Sequence, residues 1–235
     1  MAIDGTRSWS EWCDRMINPL KWPAAVFSAA ITPLLAWSLL LLLVRAIRAP
    51  WNLVSFAVGG IFFVVLWRRW LRGSRFGRFL ITVEHEATHA LFALLTGHRI
   101  LSFHASMGKG GRVRIEGDGN WLIVVAPYFF PTAALLLFVL AYVLPFQGLL
   151  PWSGLMLGTA LAYHIVSTYR ETHKDQTDIQ QLGAVFCWLF LPAANLAVIG
   201  LLLSFAHGGG DGLHQWLADV AAPVQRLWRW LIESR

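Results

Sequence analysis

Long apolar runs separated by short polar stretches dominate this chain. A membrane helix needs about 20 mostly apolar residues. Six segments approach that pattern: 23–44, 51–70, 79–96, 121–145, 151–169 and 182–206. The third is the least apolar, because it holds Glu84, His85, Glu86 and His89, and the fourth carries Pro127 and Pro131 near its start. Ahead of them, Ser8-x-x-Glu11 reads as a capping box, and Trp9, Trp12, Met16 and Leu20 share one helical face. Residues 1–22 are therefore expected to form a short interfacial helix. Beyond Gly208-Gly209-Gly210, the apolar positions Leu213, Trp216, Leu217, Val220, Val224, Leu227 and Leu231 keep helical spacing. The tail 207–235 is expected to lie on the membrane surface, kinked at Pro223.

The connection 97–120 has a different period. Leu101, Phe103 and Ala105 alternate with Ser102, His104 and Ser106; then, past Gly108-Lys109-Gly110-Gly111, Val113 and Ile115 alternate with Arg112, Arg114 and Glu116. This predicts a β-hairpin between the third and fourth spans. An exposed loop with local pairing would show the same alternation. The expected fold is an all-α polytopic membrane protein of about six spans (23–206, with a core at 79–200), plus this hairpin and the C-terminal interfacial helix.

Composition supports a membrane location. The 235 residues are 57% hydrophobic and 14% charged, against roughly 45–50% and 25% in globular domains. The surplus has to face lipid or a large partner, which argues against a soluble enzyme, a disordered tail or a nucleic-acid-binding domain. The net charge of +6 suits helix ends anchored at anionic lipid. Trp22, Trp51, Trp67, Trp70, Trp121 and Trp152 flank the apolar runs, where interfacial anchors belong. Cys13 and Cys187 form no disulfide framework or zinc ribbon. Asp4, Glu11 and Asp14 precede any apolar run, so no cleavable signal is expected. With six crossings, one side carries eleven Lys and Arg and the other eight. The dense arginines of 68–78 place both termini in the cytoplasm, with the 97–120 and 170–178 connections on the opposite side. The expected location is a bacterial cytoplasmic membrane.

The chemistry concentrates in His85-Glu86-Ala87-Thr88-His89. This HExxH pattern puts two imidazoles one helical turn apart, able to share one zinc ion, with Glu86 beside the metal's water. Ionisable groups at membrane depth are costly and usually functional. A third protein ligand is needed. Leu95 stands where the soluble metzincins have their third histidine, and His98 lies past Gly97, which ends the helix. The polar cluster 169–178 offers Asp178 as first choice, with Asp175, His173 and Glu171 as alternatives. Asp178 could instead cap the following helix. His164, Glu171 and His104 could support the site or contact the transition state, or serve as packing and surface groups. His207 and His214 look interfacial.

The membrane-embedded HExxH, followed by Leu94-Leu95-Thr96-Gly97-His98-Arg99-Ile100, a hairpin and a proline-containing apolar helix, resembles the site-2-protease-like membrane zinc metallopeptidases over about 79–200. The resemblance implies His85 and His89 as ligands, Glu86 as catalytic base and a distant aspartate as third ligand. The best-known relatives carry that aspartate in a Leu-Asp-Gly segment. This chain has Gln176-Thr177-Asp178-Ile179-Gln180-Gln181-Leu182-Gly183 instead, as in a divergent branch. The expected partners are lipid and a membrane protein or peptide substrate. A zinc sensor or carrier would need the histidines but not Glu86, and a degenerate structural protein would need neither.

Overall fold

The computed structural model describes residues 5–107, 110–143, 150–173 and 175–233. The hairpin tip Gly108-Lys109 and the turn at 144–149 fall outside them. Nine α-helices and one hairpin make up the described chain: α1 Gly5–Ile17, α2 Lys21–Arg48, α3 Val54–Leu66, α4 Arg75–Leu95, β1 Ile100–Ala105, β2 Gly111–Ile115, α5 Trp121–Val125, α6 Thr132–Val143, α7 Leu150–Glu171, α8 Thr177–Leu182 and α9 Ala184–Glu233. Three stretches are long and apolar enough to cross a membrane: Trp9–Arg48, Pro50–Leu71 and Ala184–Glu233. The chain is a membrane protein, with these three as its candidate crossings among the described residues.

Several boundaries differ from expectation. Helix α1 already runs from Gly5, so Ser8 lies inside it and cannot have cap geometry. Its apolar side chains Trp9, Trp12 and Met16, and Leu20 in the turn after it, are about half exposed. The segment 121–145 is not one helix. It breaks after α5 into a single tight turn, Ala126–Tyr128, and restarts at Thr132. Pro127 and Pro131 explain the break, since neither can donate to a helical ladder. Asp178 does not open the last long helix either. It lies on the separate six-residue α8, divided from α9 by Gly183 at φ 87°. The break in the tail falls at Gly208 and Gly209, while the backbone stays helical through Pro223. Beyond the break the chain returns onto α2: Trp216 is buried with Leu35, Leu42 and Ala193, and Arg45 pairs with Asp219 at 2.6 Å. Trp67 is buried, and the Trp121 indole donates to the Ile17 carbonyl at 2.7 Å, so these two tryptophans serve packing rather than exposed anchoring.

Two helix pairs frame the molecule. The beginning of α2 meets the beginning of α9, Ala25 being buried with Phe186, and Lys21 Nζ donates to the Leu182 carbonyl at the end of α8 at 2.8 Å. Helices α3 and α7 pack backbone to backbone. A Cβ on Gly59 or Gly158 would run into the carbonyl of Leu155 or Phe56, the close approach that small residues permit between membrane helices. The end of α7 reaches the start of α4, where Arg170 Nη1 donates to the Arg72 carbonyl at 3.1 Å. The 68–78 and 170–178 connections adjoin here, where six crossings would set them on opposite sides.

Candidate metal centre

Helix α4 begins at Ser74, whose hydroxyl accepts from the Gly77 N–H at 2.8 Å, an ordinary serine cap. The four-residue spacing then stacks His85 and His89 on one face. Their Nε2 atoms lie 3.1 Å apart, and each faces Asp178 Oδ2, at 3.3 Å from His85 and 3.2 Å from His89. Among the described residues this is the one group of three such donors within reach of a common ion. Donors held about 2.0–2.2 Å from a tetrahedral ion stand roughly 3.3–3.6 Å apart, so the two imidazoles and the carboxylate, within about 0.2 Å of that range, need only a small spread to hold a zinc-sized cation.

Histidine orientation also fits. His89 Nδ1–H donates to the Ile123 carbonyl at 2.8 Å. That bond fixes the tautomer and leaves the Nε2 lone pair for a metal. Asn120 caps α5 through the Ile123 N–H at 3.3 Å and holds this carbonyl's turn in place. Burial alone would push the Asp178 carboxyl up, but the two imidazoles facing it, when charged, outweigh that and hold it below the usual carboxylate range. Its side chain sits in the first turn of α8, yet Oδ2 points at the histidines, so ligation rather than capping describes it.

Glu86 is buried beside this trio. The Val113 N–H of β2 donates to its carboxylate. β1 and β2 pair antiparallel, Phe103 opposite Val113 and His104 opposite Arg112, as the alternation predicted. The outer edge of β2 therefore lies against α4. A cavity of about 470 Å³ opens there, lined by Thr82, His85, Glu86, His89, Asp178 and the strand residues from Gly110 to Val113.

The other candidates are placed differently. Glu171 lines the cavity and accepts from Gln176 Nε2 at 2.6 Å. Asp175 and His173 are exposed and are not part of the donor group. His104 is exposed on the hairpin and does not line the cavity. His164 is buried, its Nδ1 lying 3.4 Å from Thr168 Oγ1, and it also lies outside the cavity lining. His98, buried past the end of α4, meets Asp14 Oδ2 at 3.1 Å and ties α1 to this end of α4.

Three further residues at the site have roles that the sequence did not reveal. Glu84 caps the restarted α6, accepting from the Ala133 N–H at 3.4 Å, and meets Ser167 Oγ at 3.5 Å. Its charge within an apolar segment was the signal. Tyr128 donates to Asp178 Oδ2 at 3.1 Å; its place between two prolines was the signal. Gly111 gave no signal beyond the turn pattern.

With a buried HExxH helix, a carboxylate from a second helix and a strand edge at one cavity, the site has the build of a membrane metallopeptidase. The chain belongs to the Peptidase M50B-like family, whose model matches residues 54–173. No curated protein and no solved structure matches the chain.

Proposed function

We propose that this protein is a membrane-embedded zinc metallopeptidase hydrolysing peptide bonds of membrane or membrane-proximal proteins. The observation that carries this reading is the meeting of three donor atoms, from His85, His89 and Asp178, beside Glu86 in one cavity. These three residues would hold one Zn²⁺, which when bound lowers the pKa of water and polarises a carbonyl. Glu86, steadied by the Val113 N–H, takes the proton of the attacking water and passes it to the leaving amine. The Ile123 carbonyl keeps the His89 imidazole turned toward Asp178. A helical substrate hides its carbonyls in internal hydrogen bonds and must unwind locally. An edge of the 100–115 hairpin would then take the unwound segment by strand addition.

The side to which the site opens follows from charge. Arg68, Arg69, Arg72, Arg75 and Arg78 make a dense basic connection of the kind retained in the cytoplasm. The Arg170–Arg72 bond joins the 171–178 connection to it, which supports a site open toward the cytoplasm.

The test is hydrolysis of casein, an unstructured protein, by the zinc-loaded full chain in detergent. Wild type should cleave, and Glu86→Gln should keep its zinc yet lose about 10²–10⁴-fold in rate. Equal cleavage by the variant would overturn Glu86 as base. Zinc binding without cleavage by wild type would favour a sensor or carrier.

A further inference from the structure

We propose that Tyr128 is a positioning residue of the metal centre, holding the third ligand in place through its hydroxyl; this rests on the metal-site reading above. Three observations converge. The hydroxyl donates to Asp178 Oδ2, the same oxygen that faces both histidines. The ring stands edge-on to His85, with centroids 5.4 Å apart and planes at 87°. The residue is fully buried, and its own carbonyl accepts from Asn195 Nδ2 of α9 at 3.0 Å. Tyr128 thus touches one ligand by hydrogen bond and a second by ring contact, and a third element fixes its backbone.

The need for such a tether is local. Helix α8 has six residues and no side-chain cap at Gln176, and it ends at a glycine in the left-handed region. So short a helix does not hold its first turn steady by itself. Asp178 must nevertheless present one oxygen to two imidazoles on α4. A phenylalanine would fill the same volume. The hydroxyl adds only a directed bond, and a buried tyrosine hydroxyl needs a partner. Here the partner is the ligand's carboxylate rather than a backbone carbonyl. Hydrogen bonds to ligating groups typically set metal affinity by about 10–100-fold.

Tyr163 supplies the control. It too is a tyrosine packed against α4, but its hydroxyl donates to the Leu80 carbonyl at 2.9 Å and touches no donor of the centre. The experiment titrates metal-free full chain in detergent with Co²⁺, reading affinity and the visible absorption of the bound ion. Tyr128→Phe should bind Co²⁺ about 10–100-fold more weakly with an altered spectrum, while Tyr163→Phe should match wild type in both. Unchanged affinity and spectrum in Tyr128→Phe would overturn the proposal. Equal weakening in Tyr163→Phe would also overturn it, by making the effect one of general packing. Failure of wild type to bind Co²⁺ at all would overturn the metal centre itself, and the role of Tyr128 with it.

Discussion

Gly111 on β2 and Glu86 on α4 are packed so closely that residue 111 has no room for a side chain: a Cβ there would stand 2.7 Å from Glu86 Oε1 and from Thr82 Cγ2. The strand reaches the carboxylate because this position is glycine. Gly111→Ala must push either the strand or Glu86 aside. Displacing a reacting group by about 1 Å can cost on the order of 10²-fold in rate. We expect that loss in casein hydrolysis with zinc content unchanged, measured by metal analysis beside the assay. Full activity in the alanine variant would show that Glu86 tolerates the shift.

Asp178 and Asp175 lie one turn apart in sequence but differ in placement. Only Asp178 meets the histidines, and Asp175 is exposed. Asp178→Ala should lower zinc occupancy as strongly as His89→Ala, and by more than the roughly 10–100-fold that loss of a supporting contact costs. Asp175→Ala should bind like wild type. Equilibrium dialysis against buffered zinc distinguishes them, and full retention in Asp178→Ala would remove it from the donor set.

Metal retention should depend on pH in a set direction. Both imidazoles must be neutral to bind an ion, and free imidazole takes up its proton near pH 6.5. Occupancy should hold at pH 7–8 and fall as acid is added below about pH 6, returning when the pH is restored. Zinc that stays bound at pH 4 would point to another donor set.

The contact between Arg170 and Arg72 predicts a shared face. In a background lacking Cys13 and Cys187, Ser74→Cys and Asp175→Cys should respond alike to a membrane-impermeant thiol reagent applied to intact cells. Neither should label if that face is cytoplasmic. Labelling of one position and not the other would separate the two connections and restore the sidedness expected from six crossings.

The legible parts of this protein are the local ones. His85 and His89 are four residues apart on one helix, so their juxtaposition is written in the sequence. The hairpin was readable because alternation is also a local period. Asp178 could be ranked first within a cluster but not joined to its partners, since these are on another helix. The break at 121–145 was hidden by uniform apolarity. Pro127 and Pro131 marked its place, but composition does not reveal whether a proline-bearing segment crosses or turns. Tyr128 was hardest to see, because a tyrosine in an apolar run looks like packing until the partner of its hydroxyl is known.

The donors of the centre lie on two helices, with Asp178 89 residues beyond His89. A ribosome therefore releases α4 into the membrane long before it makes α8. Throughout that interval Glu86 has two imidazoles beside it and no third donor. On the proposed reading, the emerging chain is inert toward its neighbours in the translocation machinery. Hydrolytic capacity arises only when the last helices fold back, so synthesis order itself acts as a safeguard.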